Sequence, residues 1–270
     1  MRPLLKDGLN SVAIVLLAAC QWGLSGCEAR VDPTTDAVLV TPDCVETQPL
    51  PTLGLMTGLP LNLPLGVDFA DYARGEVDPP WQAKALGQCH DVIPLDTVSP
   101  IAALDPNAAP TNPLSDLARL AIVQPRGLSP QDNVALDDWV RGGGRLLLVL
   151  DPMLTGEYDL PLGDARRPNA VAFIPPVVAR WGMTITFDDA QEFAARTVTI
   201  GDGEFAVLLT GEIEAAGDAC LRNDAYPVQQ CAVGEGRVTI VADAAIFEDE
   251  QVAGDNGSAI NALLAFAYDD

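Results

Sequence analysis

Apolar residues in the middle of the chain come in short blocks separated by turn-forming residues, the pattern of strands alternating with helices. Leu53-Gly54-Leu55-Met56-Thr57, ahead of a Gly-Leu-Pro turn, predicts a first strand. Residues 81–87 carry a weak helical pattern. Asp91-Val92-Ile93-Pro94-Leu95-Asp96 predicts a second strand, which Pro94 places at a sheet edge because proline cannot donate to a ladder. A third strand spans 117–123 and stops at Gln124-Pro125-Arg126-Gly127. Ser129 then suits an N-cap and Pro130 the first helical turn. Val134, Leu136, Trp139 and Val140 recur at helical spacing, so one face packs on a sheet. Gly142-Gly143-Gly144 ends that helix, since glycine accepts the left-handed cap conformation. The five apolar residues at 146–150 predict a central strand covered on both faces.

Strand, helix and buried strand in this succession form a βαβ unit and imply parallel pairing. A late strand is predicted at 237–243, entered through Gly234-Glu235-Gly236, and a closing helix at Ser258–Tyr268. Residues 198–214, rich in β-branched side chains, join 226–233 in an antiparallel excursion. The expectation is one α/β domain over 52–270, an open and mostly parallel sheet flanked by helices.

The N-terminal region changes the picture. Arg2 and Lys6 precede the apolar run at 12–19, which is short of the roughly 20 residues a bilayer span needs. Residues 1–27 read as an export signal. Leu17-Ala18-Ala19-Cys20 and Leu24-Ser25-Gly26-Cys27 both resemble the bacterial lipoprotein motif, with lipidation at Cys20 or Cys27; an uncleaved anchor helix is the alternative. Residues 28–51, rich in Thr, Pro and Asp, read as an extended tether. These features predict a cell-envelope protein held on a membrane with its domain on the extracytoplasmic, periplasmic side. The charge supports this only by exclusion. With 15 basic and 38 acidic residues, the net charge of −23 disfavours binding to nucleic acid.

The runs Leu120-Ala121-Ile122-Val123-Gln124-Pro125, Leu136-Asp137-Asp138-Trp139-Val140-Arg141-Gly142-Gly143-Gly144-Arg145-Leu146-Leu147-Leu148 and Asp151-Pro152-Met153-Leu154 resemble the class I glutamine-amidotransferase-like, flavodoxin-like α/β domain. More narrowly, the chain resembles the Gld-type auxiliary domain of ABC transport systems. Val233-Gly234-Glu235-Gly236-Arg237-Val238 and Val241-Ala242-Asp243-Ala244 match that domain's late strand. The resemblance implies a domain on the outer membrane face beside transporter subunits. It also marks a departure. Where catalytic relatives place a nucleophilic cysteine after the glycine stop, this chain has Asp151-Pro152, and no histidine lies near the late strand. The thiolate and imidazole of thioester chemistry are missing.

Ligands of open α/β sheets bind beyond the carboxyl ends of the strands. The polar residues there are Thr57, Asp96, Gln124, Asp151 and Asp243. Thr57, Gln124, Asp151 and Asp243 form the candidate pocket. Asp151 and Asp243 would serve either as a carboxylate pair or as caps on the turns that follow them. Arg166 and Arg167 would bind an anion or pair with surface carboxylates. His90, the single histidine, adjoins Cys89, but neighbours on an extended chain point to opposite faces. No Cys-x-x-Cys pair suggests zinc. Cys220 and Cys231 flank a polar segment and, in an oxidising compartment, are expected to form a disulfide. No cofactor or metal is implied. The expected function is non-catalytic binding of a partner or small ligand; the alternative is an exported hydrolase using Asp151 and Asp243 around a metal or sugar.

Overall fold

The computed structural model describes residues 49–269 apart from 106, 202 and 223. Cys20, Cys27, the signal 1–27 and nearly all of the tether 28–51 therefore lie outside the described residues. Among the described residues no helix is long and apolar enough to cross a membrane.

The strands and helices alternate as the apolar blocks require. They run β1 (Thr52–Thr57), α1 (Phe69–Ala73), α2 (Trp81–Cys89), β2 (Asp91–Pro94), β3 (Arg119–Val123), α3 (Pro130–Arg141), β4 (Arg145–Val149), α4 (Pro176–Arg180) and β5 (Met183–Thr186). The chain continues through β6 (Arg196–Ile200), β7 (Gly203–Val207), β8 (Glu212–Ala215), β9 (Val228–Val233) and β10 (Gly236–Val241). It closes with α5 (Ala245–Glu248), α6 (Glu250–Ala253) and α7 (Ser258–Tyr268).

Six strands form the central sheet in the order β2-β1-β3-β4-β10-β9. All pairings are parallel except β9 with β10. The register sets Leu147 of β4 between Ala121 of β3 and Thr239 of β10. Alternate side chains of a strand face opposite ways, so the continuous apolar run of β4 must be covered twice. On one face Leu147 and Val149 pack with Leu86 of α2 and Ile260, Leu263 and Leu264 of α7. On the other, Leu146 and Leu148 pack with Leu136 and Val140 of α3 and Val178 of α4. Each such side chain contributes about 1.5–3 kcal/mol by leaving water. The result is a three-layered α/β fold.

Helix α3 is fixed at both ends by the residues its sequence advertises. Ser129 accepts from the Asp132 N–H, and the Asp132 carboxylate accepts from the Ser129 N–H, a reciprocal capping box. At the other end Gly143 takes φ 109°, a conformation that side chains resist. Trp139 lies directly against Gly144, leaving no room for a Cβ there.

Strand β2 has a partner on one side only, in keeping with Pro94. The late region departs from expectation in detail. β9 joins the main sheet as its antiparallel edge, while β6 and β7 form a separate hairpin. β8 pairs with β5 in a third small sheet, and neither β5 nor α4 was anticipated from the apolar pattern.

Candidate functional site

β1 leads to β2 on one side of the sheet and β3 leads to β4 on the other, so the order reverses between β1 and β3. A crevice opens outside the carboxyl ends of strands at such a point. Here the two chain segments approach very closely. The Gly58 N–H donates to Val123 O at 3.0 Å. A Cβ on Gly58 would stand 2.1 Å from Gln124 O, so only glycine fits. Thr57 lies at the crevice floor, its hydroxyl accepting from the Leu59 N–H at 2.9 Å.

Gln124 takes φ 45°, a left-handed conformation unusual for a residue with a side chain. Its side chain explains why the strain persists. Oε1 accepts from the Asp151 N–H at 2.8 Å, and Nε2 donates to Asp151 O and Asn169 O, each at 3.1 Å. Gln124 is thus a buried brace between β3, β4 and the loop 151–175, and its amide is wholly occupied by backbone.

Asp151 and Asp243, at the ends of β4 and β10, are buried as well. Asp151 Oδ1 accepts from the Met153 N–H at 2.7 Å and Oδ2 from the Ala244 N–H at 2.8 Å. Asp243 accepts from the N–H groups of Ala245 and Leu208, each at 2.8 Å. Both carboxylates therefore cap the turns that follow and tie neighbouring segments together. Burial pushes the Asp151 carboxyl up to about 7, and the charges of Asp243 and Glu248 push the same way. Burial also raises Asp243, against the pull of its two N–H donors. Glu248 of α5 accepts from the Thr155 N–H at 3.0 Å and from the Tyr158 hydroxyl, pinning the loop 151–175 over this edge. Among the described residues no three His, Cys, Asp or Glu side chains are grouped to hold a metal.

The strand-end set therefore divides. Gln124, Asp151 and Asp243 belong to one buried hydrogen-bonded knot, and Thr57 alone of the four lines the open crevice. Asp96 lies exposed beyond β2. His90 is buried at the start of β2, its ring set edge-on to Tyr268 with centroids 6.1 Å apart. Burial, and then the charge of Arg119, lowers its pKa to about 4, so it is neutral at physiological pH. Cys89 is disulfide-bonded, which removes it as a nucleophile. Cys220 and Cys231 are joined to each other, their Cα atoms 3.9 Å apart, so that β9 is fastened to the segment before it. Arg167 donates to Tyr158 O and Leu160 O within its own loop, and Arg166 pairs with Asp164.

The crevice at the β1–β3 junction has a volume of about 280 Å³. Leu59, Pro60, Leu63 and Pro64 line it, and Arg126 and Arg166 stand beside them. Arg126 was missed in the sequence because it looked like part of a turn. Its partner, Ala165 O, lies 39 residues away, so no local spacing pairs them. A larger groove of about 1020 Å³ follows α3, with Val134, Trp139 and Leu114 in its walls. It ends at Gly142–Gly144, by the amino ends of β3 and β4, far from the strand ends where α/β sheets place ligands.

No family model matches the chain, and no curated protein matches it. Among solved structures it is similar to the exo-β-1,4-mannosidase Op5Man5 from Opitutaceae bacterium strain TAV5, at 16% identity and a TM-score of 0.46, over 81% of this chain and 36% of that one. It is similar to the β-galactosidase from Rahnella sp. R3 at 14% identity and a TM-score of 0.41, over 79% of this chain and 30% of that one. A cytoplasmic protein of Salmonella typhimurium LT2, STM1381, gives 13% identity and a TM-score of 0.37, over 80% of this chain and 97% of that one. The chain spans about a third of the length of the two glycosidases. At these scores the likenesses carry no argument about activity, which rests on the geometry of the strand ends.

Proposed function

We propose that this chain is a non-catalytic, membrane-tethered extracytoplasmic domain that binds a partner or small ligand as an accessory of an ABC-type transport system or envelope complex. One observation carries the non-catalytic part. Every oxygen of Asp151 and Asp243 accepts from a backbone N–H, and both residues are buried, which supports a structural role for the pair. Thioester chemistry also needs a thiolate and an imidazole side by side. The cysteines among the described residues are disulfide-bonded, and His90 is buried at the other end of β2 from the crevice.

The order β2-β1-β3-β4-β10 of the parallel strands follows the flavodoxin-like pattern, which supports the glutamine-amidotransferase-like reading. The tether and the lipid on Cys20 or Cys27 rest on the sequence. A second reading, an exported hydrolase using Asp151 and Asp243, has one observation in its favour: burial raises both carboxyls towards neutrality, as catalytic acids require. Their engagement by backbone opposes it.

Capture of the full chain from membranes, with mass spectrometry of its N-terminus and of co-purifying proteins, tests the proposal. The expected result is an acylated cysteine and transporter subunits. Recovery in the soluble cytoplasmic fraction with an intact Met1 would overturn it.

A further inference from the structure

The geometry points to the β1–β3 crevice as the binding site of a small carboxylate with a short apolar body, recognised by Arg126. This inference rests on the binding-domain reading and names the ligand class of that domain.

The place is set by topology, since the crevice lies where the strand order reverses. The backbone is tightly constrained here too, by the Gly58 approach and the left-handed Gln124. Such strain persists only where surrounding structure fixes it, and it collects at functional sites. The wall is apolar, made by Leu59, Pro60, Leu63, Pro64 and Leu65. Its volume of about 280 Å³ lies near the lower end of ligand pockets, which suits a metabolite-sized molecule.

The charge at the mouth gives the class. Several described cations, Lys84, Arg167 and Arg196 among them, form no ion pair, and Arg126 is the one of this kind that lines the crevice. One of its guanidinium N–H groups goes to Ala165 O. That bond draws the 164–166 segment to the crevice edge. Arg166 is different, because its guanidinium is held by both oxygens of Asp164 at 2.8 and 3.0 Å. Asp164 also feels the charge of Arg126, and its carboxyl is lowered to about 2, chiefly by its bonds to Arg166. Two arginines against one carboxylate leave a single positive charge at the mouth. A guanidinium presents its N–H groups as a planar fork that matches a carboxylate. One unspent fork beside an apolar wall selects a monocarboxylate with a hydrocarbon body.

Calorimetric titration of the purified full chain with hexanoate tests this, beside hexanamide, which has the same body without the charge, and inorganic phosphate, which has charge without the body. Hexanoate should bind more tightly than either. Arg126→Gln, a change at an exposed side chain, should weaken hexanoate by about tenfold or more. Arg74→Gln, a change at a surface arginine just after α1 paired with Asp71 and Glu76, should leave it unchanged. Equal binding of hexanoate and hexanamide, tighter binding of phosphate, or unchanged affinity in a folded Arg126→Gln protein would overturn the inference. Catalytic turnover or a cytoplasmic location would defeat the proposed function without altering this titration.

Discussion

At the residue scale, the carboxyl edge of the sheet is built from single side chains that satisfy backbone rather than solvent. Gly58 marks the closest backbone approach at that edge. A methyl group there meets Gln124 O at 2.1 Å, and the obstacle is backbone, which cannot swing aside. Gly58→Ala should cost about 2–3 kcal/mol in urea unfolding and shift the Gln124 backbone amide resonance. Asp151 makes a prediction with a definite sign. Its carboxyl titrates near 7 in the fold, above its value in the unfolded chain, so the fold holds that proton more tightly. The stability it contributes is complete below about pH 4 and is lost as pH rises through about 7. Asp151→Asn removes this loss but leaves one backbone N–H, of Met153 or Ala244, facing an amide donor. The variant should be less stable by about 1–3 kcal/mol in acid, and the gap should narrow towards pH 8. Urea unfolding of both proteins at the two pH extremes measures it, since the other carboxyls cancel in the difference.

At the element scale, α3 shows how much one carboxylate can organise. Asp132 completes the capping box and also accepts from the Thr97 hydroxyl at 2.6 Å and the N–H groups of Val98 and Ser99 at 3.1 and 3.0 Å. Burial alone would raise its pKa, but these bonds and those from Ser129 hold it well below the usual range. Asp132→Ala should therefore cost about 2–4 kcal/mol near neutral pH, more than loss of a cap alone, with the difference shrinking in acid. Ser129-Pro130 announced this helix start in the sequence, as Pro94 announced the edge and the run 146–150 the centre. Those signals are local, carried by residues within a turn or a strand of one another. The partners of Asp132 at 97–99 lie more than thirty residues away, and no spacing shows them. β5 escaped because Met183-Thr184-Ile185-Thr186 is four residues long and takes its order from pairing with β8. The strand-end polar residues were legible as a set, because a carboxyl end follows from the strand itself. Their division into a buried knot and an open crevice depends on which backbone N–H groups fold back onto them. The Ala245 N–H that Asp243 accepts is two residues away, but the Ala244 N–H reaches Asp151 from 93 residues away.

At the scale of the whole molecule, the two halves of the carboxyl edge have different characters. From β3 to β10 the edge is closed by Gln124, Asp151, Asp243 and the loop that Glu248 pins down. At the β1–β3 junction it stays open, with an apolar wall and cations at the rim. Among the described residues the open half presents an apolar wall with guanidinium groups beside it, while the carboxylates of Asp151 and Asp243 are buried in the closed half. The chain's net charge of −23 disfavours contact with polyanions, and the proposed carboxylate site at Arg126 is a local exception to that charge. The central claim is that the strand-end carboxylates are structural, and the measurement that bears on it most directly is hydrolytic turnover. Ammonia release from glutamine and 4-nitrophenol release from 4-nitrophenyl glycosides should stay at background for the purified full chain. Turnover well above background that disappears in a folded Asp151→Asn protein would contradict the account and place that carboxyl in a catalytic site.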